Sequence, residues 1–167
     1  MSTPPLELPE LSDIIGAIYD CALAPGGWSD VLRRICGLVG GNTGALYLID
    51  FVEDAPRLFA HWGMPEEAVH AWQSEFAGDV SALHARIAGR GGADLSEPSV
   101  YSRMFSEAER EAMRVHREWA RPLGICDVIA IAIAPSRIGM LVATRHDSVG
   151  LVTEREHAVM RLLAPHV

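Results

Sequence analysis

Cysteine is scarce. Cys21, Cys36 and Cys126 are the three in 167 residues, an odd number with no CxxC pair, which argues against both a secreted disulfide framework and a thiolate zinc site. A reducing, cytoplasmic setting is therefore expected. No segment carries about eighteen uninterrupted apolar residues, and the start, Met1-Ser2-Thr3-Pro4-Pro5, lacks the basic residues and apolar run of a signal peptide. Contact with a membrane is not expected. Positive charge is outweighed, with 14 basic against 22 acidic residues and a formal net charge of -8. Such a surface repels phosphate, so direct nucleic-acid binding by this chain is not expected. The histidines show no HxxxH or HExxH spacing that would set two rings on one helical face, and no metal site is expected. Gly89-Arg90-Gly91-Gly92 lacks the Lys-Ser/Thr of a phosphate loop and reads as a connection. Neither a GxSxG elbow nor a Ser-His-Asp order is present. No catalytic residue and no cofactor are assigned, and the chain is not read as an enzyme.

What is present suits one packed domain: 49% of residues are hydrophobic and 22% charged, a globular balance in a chain of single-domain length. Residues 1–10 are expected to be extended or disordered, and 11–167 to form the domain. Ser12 and Asp13 can cap a helix with Ile14, Ile15, Ile18 and Ala22 on one stripe, broken at Pro25-Gly26-Gly27. Ser29 or Asp30 can cap a second, whose Val31, Leu32, Ile35, Cys36 and Val39 repeat every three or four residues, and Gly40-Gly41 ends it in the left-handed conformation. From Thr43 the period changes. Residues 45–51 and 58–62 read as an antiparallel hairpin separated by Glu53-Asp54-Ala55-Pro56. Pro65-Glu66-Glu67 opens a helix with Val69, Trp72 and Phe76 buried. Asp79 can cap a further one bearing Val80, Leu83, His84 and Ile87.

Residues 93–101 give no firm pattern. Ser106 and Glu109 form a capping box for a helix running to Trp119 or Ala120, with Glu111 and Arg114 as a favourable ion pair and Glu107 against Glu111 unfavourable. Pro122 and Gly124 stop it. The apolar strand 125–134, a turn at Pro135-Ser136-Arg137 and a return strand 138–144 make a second hairpin, central to the sheet. Thr153 and Glu156 form another capping box before a final helix with Val159, Met160, Leu163 and Val167 on one face. Two hairpins with helices inserted between them and helices at both ends predict an α+β fold: one antiparallel sheet, with the N- and C-terminal helices packed on one side of it.

Three segments resemble the ligand-sensor half of LuxR-type helix-turn-helix regulators: Tyr19 through Trp28 with its Ala24-Pro25-Gly26-Gly27-Trp28 run, Glu118 through Val128 with Trp119, Pro122 and Gly124, and Leu151-Val152-Thr153-Glu154-Arg155-Glu156 followed by Leu163-Ala164-Pro165-His166-Val167. The resemblance implies a GAF/PAS-like sensor domain, with the sheet as the floor of a pocket and inserted helices as its roof. It also implies a small-molecule ligand of unknown identity, a homodimer through the terminal helices, and coupling to a helix-turn-helix domain that this chain lacks, its end falling at the domain boundary.

A sensor pocket needs apolar and aromatic walls with a few orienting polar groups. Tyr47, Trp62, Trp72, Phe76, Tyr101, Met104, Met113 and Trp119 are the ligand-binding candidates; ordinary core packing is the alternative for each. Trp28 and Trp119 read also as packing anchors. Tyr47 and His61 are expected to face each other across the first hairpin, with Asp50 nearby. Cys21 and Cys36 read as small hydrophobes, while Asp127 beside Cys126 would raise that thiol's pKa. Two competing functions are a ligand-free dimerisation module resting on Ile14, Ile15, Ile18, Val159, Met160 and Leu163, and a cysteine-dependent reductase of the same fold using Cys126.

Overall fold

A computed structural model of the chain describes residues 8–50, 55–91, 94–134 and 138–167. The expected extended start up to residue 7, Phe51, the 53–54 connection, Ala93 and the 135–137 turn lie outside the described residues. The helices are α1 (Leu8–Asp20), α2 (Trp28–Val39), α3 (Glu66–Gln73), α4 (Ala77–Gly89), α5 (Tyr101–Met104), α6 (Glu107–Ala112) and α7 (Glu154–Leu163). The strands are β1 (Thr43–Asp50), β2 (Ala55–Trp62), β3 (Ser99–Val100), β4 (Ile125–Ala134) and β5 (Ile138–His146). They form a five-stranded sheet in the order β2-β1-β5-β4-β3, antiparallel throughout. The two hairpins thus share one sheet, joined along β1 and β5.

Period-two alternation divides the core in two. Leu46, Ile129, Ile131, Leu141 and Ala143 face α1, α2 and α7, meeting Ile14, Ile18, Leu32, Ile35, Val159, Met160 and Leu163. Tyr47, Ile49, Ala130, Ala132, Met140 and Val142 face the other way, beneath the segment between β2 and β4. In β4 the face toward the terminal helices carries isoleucines and the opposite face carries alanines. The first face is therefore filled by its own strand side chains, and the second is left shallow.

Local signals set several boundaries. Gly40 caps α2 at φ 61°, a left-handed geometry that glycine adopts without Cβ strain. Both capping boxes form: Ser106 with Glu109 and Thr153 with Glu156. Other boundaries differ from expectation. α1 begins at Leu8, so Ser12 and Asp13 lie inside it. α2 begins at Trp28 after Gly27 with no side-chain cap, because Ser29 Oγ donates instead to the His61 carbonyl at 2.9 Å. The helix expected to run from 107 to 119 or 120 breaks at Met113, whose backbone is extended at φ -82°, ψ 124°. A π-helical turn, Val115–Ala120, follows. This break separates Glu111 from Arg114. Arg114 instead holds Glu75, Asp79 and Glu118, and Glu111 holds Arg121. Among the described residues no helix is long and apolar enough to cross a membrane.

Candidate functional site

Between the alanine face of the sheet and the roof lies a cavity of about 130 Å³ open to the centres of water molecules, room for several waters or a small organic group. Its floor includes Ala45 and Tyr47 of β1, Val128 and Ala130 of β4, and Met140 and Val142 of β5. Its roof includes Trp72 of α3, Leu83, His84 and Ile87 of α4, Tyr101 and Met104 of α5, and Val115, His116 and Trp119 of the π-helical turn. That turn directs four side chains to the wall, Ala120 with the three just named, and single π turns are frequent at functional sites. Trp119 is fixed in turn by α3, since its Nε1 donates to the Ala68 carbonyl at 2.8 Å.

The polar groups of the wall form short chains. His84 Nδ1 lies 2.7 Å from the Val80 carbonyl, an oxygen that can only accept, so the ring proton sits on Nδ1. Burial lowers the His84 pKa to about 4, which keeps the ring neutral and leaves a lone pair on Nε2. The Tyr47 hydroxyl, 2.8 Å away, therefore donates to Nε2, and the Tyr47 oxygen keeps its own lone pairs. Burial raises the Tyr47 pKa, so that hydroxyl stays protonated. A second chain runs along the floor. Thr144 Oγ1 donates to Asn42 Oδ1 at 3.1 Å and sits 2.7 Å from Thr43 Oγ1, which makes Thr43 the donor of that bond. His61 also lines the cavity, and its buried Nδ1 has no partner among the described residues, while Nε2 lies 3.7 Å from Glu66 Oε1.

Asp127, wholly buried, is the one carboxylate of the lining among the described residues. Its oxygens accept from the Ser102 amide and hydroxyl, the Val128 amide and the Val152 amide at 2.6–3.0 Å, which uses its acceptor capacity. The bonds tie β4 to α5 on one side and to the lead-in of α7 on the other. Cys126 lines the cavity too. Burial first, then Asp147 and Asp127, push its thiol pKa up. Cys21 and Cys36 lie in the core on the opposite side of the sheet, so neither stands near Cys126 as a resolving thiol. Among the described residues no group of His, Cys, Asp or Glu is arranged to hold a metal ion.

Of the residues singled out from sequence, the fold brings Tyr47, Trp72, Tyr101, Met104 and Trp119 together on the cavity wall. It does not bring Trp62, Phe76 or Met113 there. Alternation along β2 turns His61 inward and sends Trp62 to the other side, against the terminal-helix core. Phe76 falls after the end of α3 and is buried, with the Arg114 guanidinium 4.5 Å from its ring centre. Met113 lies behind Tyr101, whose hydroxyl points to its sulfur at 3.4 Å. Tyr47 pairs with Leu58, and His61 with Ala45, so the two are not directly opposed; the Asp50 side chain lies outside the described residues. Thr43, His84 and Asp127 are cavity residues that sequence reasoning did not select. For Asp127 a signal existed: a lone carboxylate in an apolar strand has to find partners.

The fold these elements define is that of a GAF-like α+β domain. No family model matches the chain, and no curated protein does at a significant level. Among solved structures it is similar to the VqsR LBD domain from Pseudomonas aeruginosa, with a TM-score of 0.69 at 9% identity over 92% of this chain and 88% of that one. It is similar also to the phycoerythrobilin-bound GAF domain from a cyanobacterial phytochrome (TM-score 0.62, 13% identity, 98% and 93% covered). A third is the GAF domain of a phosphoenolpyruvate-protein phosphotransferase from Coxiella burnetii (TM-score 0.57, 20% identity, 94% and 89% covered).

Proposed function

We propose that the chain is a regulatory input domain of a bacterial transcriptional regulator that takes a small organic molecule into the cavity and couples its presence, through α7, to a helix-turn-helix domain. The observation that carries this reading is the cavity itself, walled by aromatic and aliphatic side chains with few polar groups, the composition that small-molecule sites share. Two further facts support it. Asp127 belongs to the wall and also holds the Val152 amide, directly before the Thr153 cap of α7. A change at the wall therefore has a short physical route to the last helix. The folds it resembles include one named as an LBD and one with a bound bilin. A thermal-shift screen of small molecules on the purified protein tests the proposal. At least one compound is expected to raise the melting temperature, and Ala130→Leu, which fills the floor, is expected to abolish that rise. No response from any compound, or a response unchanged in Ala130→Leu, would rule the cavity out as the binding site.

A second reading, association of two copies through α1 and α7, is favoured by different residues from those first expected. Ile14, Ile18, Val159, Met160 and Leu163 are consumed by the protein's own core, but Tyr19 on α1 and Leu162 on α7 are exposed. Tyr19 Oη lies 3.0 Å from His166 Nδ1, which brings the two helix ends side by side.

A further inference from the structure

Five protons of the cavity wall, those of Tyr47, His84, Thr43, Thr144 and Trp119, are already committed, and this points to the chemistry of what enters. Resting on the reading of the cavity as a ligand site, we infer that its occupant is a neutral, largely apolar molecule that donates a hydrogen bond to the Tyr47 hydroxyl oxygen. The Tyr47 proton is directed to His84 Nε2, and the His84 proton to the Val80 carbonyl. The Thr43 proton is directed to Thr144, the Thr144 proton to Asn42, and the Trp119 indole proton to Ala68. What these groups still offer to the cavity is lone pairs. At these groups an incoming carbonyl or ether oxygen would have to break a bond to find a donor, whereas an incoming O–H or N–H meets the Tyr47 oxygen without cost to the protein. His61 Nδ1, without a partner among the described residues, adds a second acceptor when its ring proton lies at Nε2, toward Glu66, and a donor in the other tautomer.

Charge is excluded by the same wall. Among the described residues an anion would find no lysine or arginine in the lining; Arg110 stands outside it, with Nη1 on the Cys126 carbonyl. A cation would find only Asp127, whose oxygens already hold their bonds from Ser102, Val128 and Val152. Moving either ion out of water into this surrounding is unfavourable without a partner. The sites that remain suit an alcohol, a phenol or an amide N–H carried on an apolar body.

Isothermal titration of the intact chain at pH 7.5 with four matched probes tests this: 4-butylphenol, 4-butylanisole, butylbenzene and 4-butylbenzoate. The phenol supplies the donor; the anisole and the hydrocarbon, one larger and one smaller, lack it; the benzoate carries the charge. The phenol is expected to bind about fivefold or more tightly than either neutral donor-free probe and about tenfold or more tightly than the benzoate. Equal affinity for the anisole or butylbenzene would overturn the donor requirement while leaving the cavity reading intact. Equal or tighter binding of the benzoate would overturn neutrality. Failure of all four would sink the cavity reading itself. The double variant Tyr47→Phe with His84→Leu removes the acceptor and its partner together, a change that leaves no unpaired group behind. Its preference for the phenol is expected to fall within about twofold, and an undiminished preference would overturn the assignment to Tyr47.

Discussion

Protonating His84 has to be done against the interior of the protein. Its pKa is about 4 in the folded chain against an ordinary 6.5, so between those values the unfolded chain binds a proton that the folded chain does not. The contribution is fully present above pH 6.5 and is lost as the pH falls toward 4, in total about 3 kcal/mol. Urea unfolding across this window is expected to show stability rising with pH, and His84→Leu should flatten that rise by about the same amount. An unaltered slope in the variant would place the dependence on another group, with His116, also lowered chiefly by burial, the first to test.

Asp127 acts between elements rather than within one. Replacing it with alanine leaves the Ser102, Val128 and Val152 amides without their acceptor, at a cost of about 3 kcal/mol or more. The melting temperature should fall by roughly 10 °C, and hydrogen exchange at the Val152 amide should quicken more than at Ile35 in the core of α2. Uniform acceleration at both sites would mean that Asp127 supports general stability and not the join to α7. Arg145 secures the same region independently, donating to the carbonyls of Val39, Val149 and Gly150. At this scale much was legible before any coordinates. Capping boxes depend on residues three apart, and the Ser106 and Thr153 boxes could be read directly. The break at Met113 could not. Nothing in the Glu- and Arg-rich run 107–118 marks it, since Met113, extended in backbone, meets its buried contact in Tyr101, twelve residues away in sequence.

For the molecule as a whole, association is the property with the least help from its core. Tyr19 and Leu162 remain exposed, so Leu162→Asp is expected to shift sedimentation of a dimer toward the monomer without lowering thermal stability. A wild-type chain that stays monomeric at high micromolar concentration would end the association reading. The sheet and its layers were predictable because hydrophobic periodicity reports them. The cavity was only half so: Tyr47, Trp72, Tyr101, Met104 and Trp119 lay on the right segments, but a period-two strand permits either facing for its first residue, and that choice exchanged Trp62 for His61. The alternation of isoleucine with alanine along β4 was the clearest overlooked sign, since small residues on one face of a buried strand leave space that something else must occupy.

That choice of facing also partitions the indoles. Trp28 and Trp62 pack on the terminal-helix side, while Trp72 and Trp119 stand at the cavity. Contact quenching by an occupant would thus reach Trp72 and Trp119 and leave Trp28 and Trp62 untouched. Quenching should therefore level off well short of darkness, and the residual glow is an internal standard for every titration.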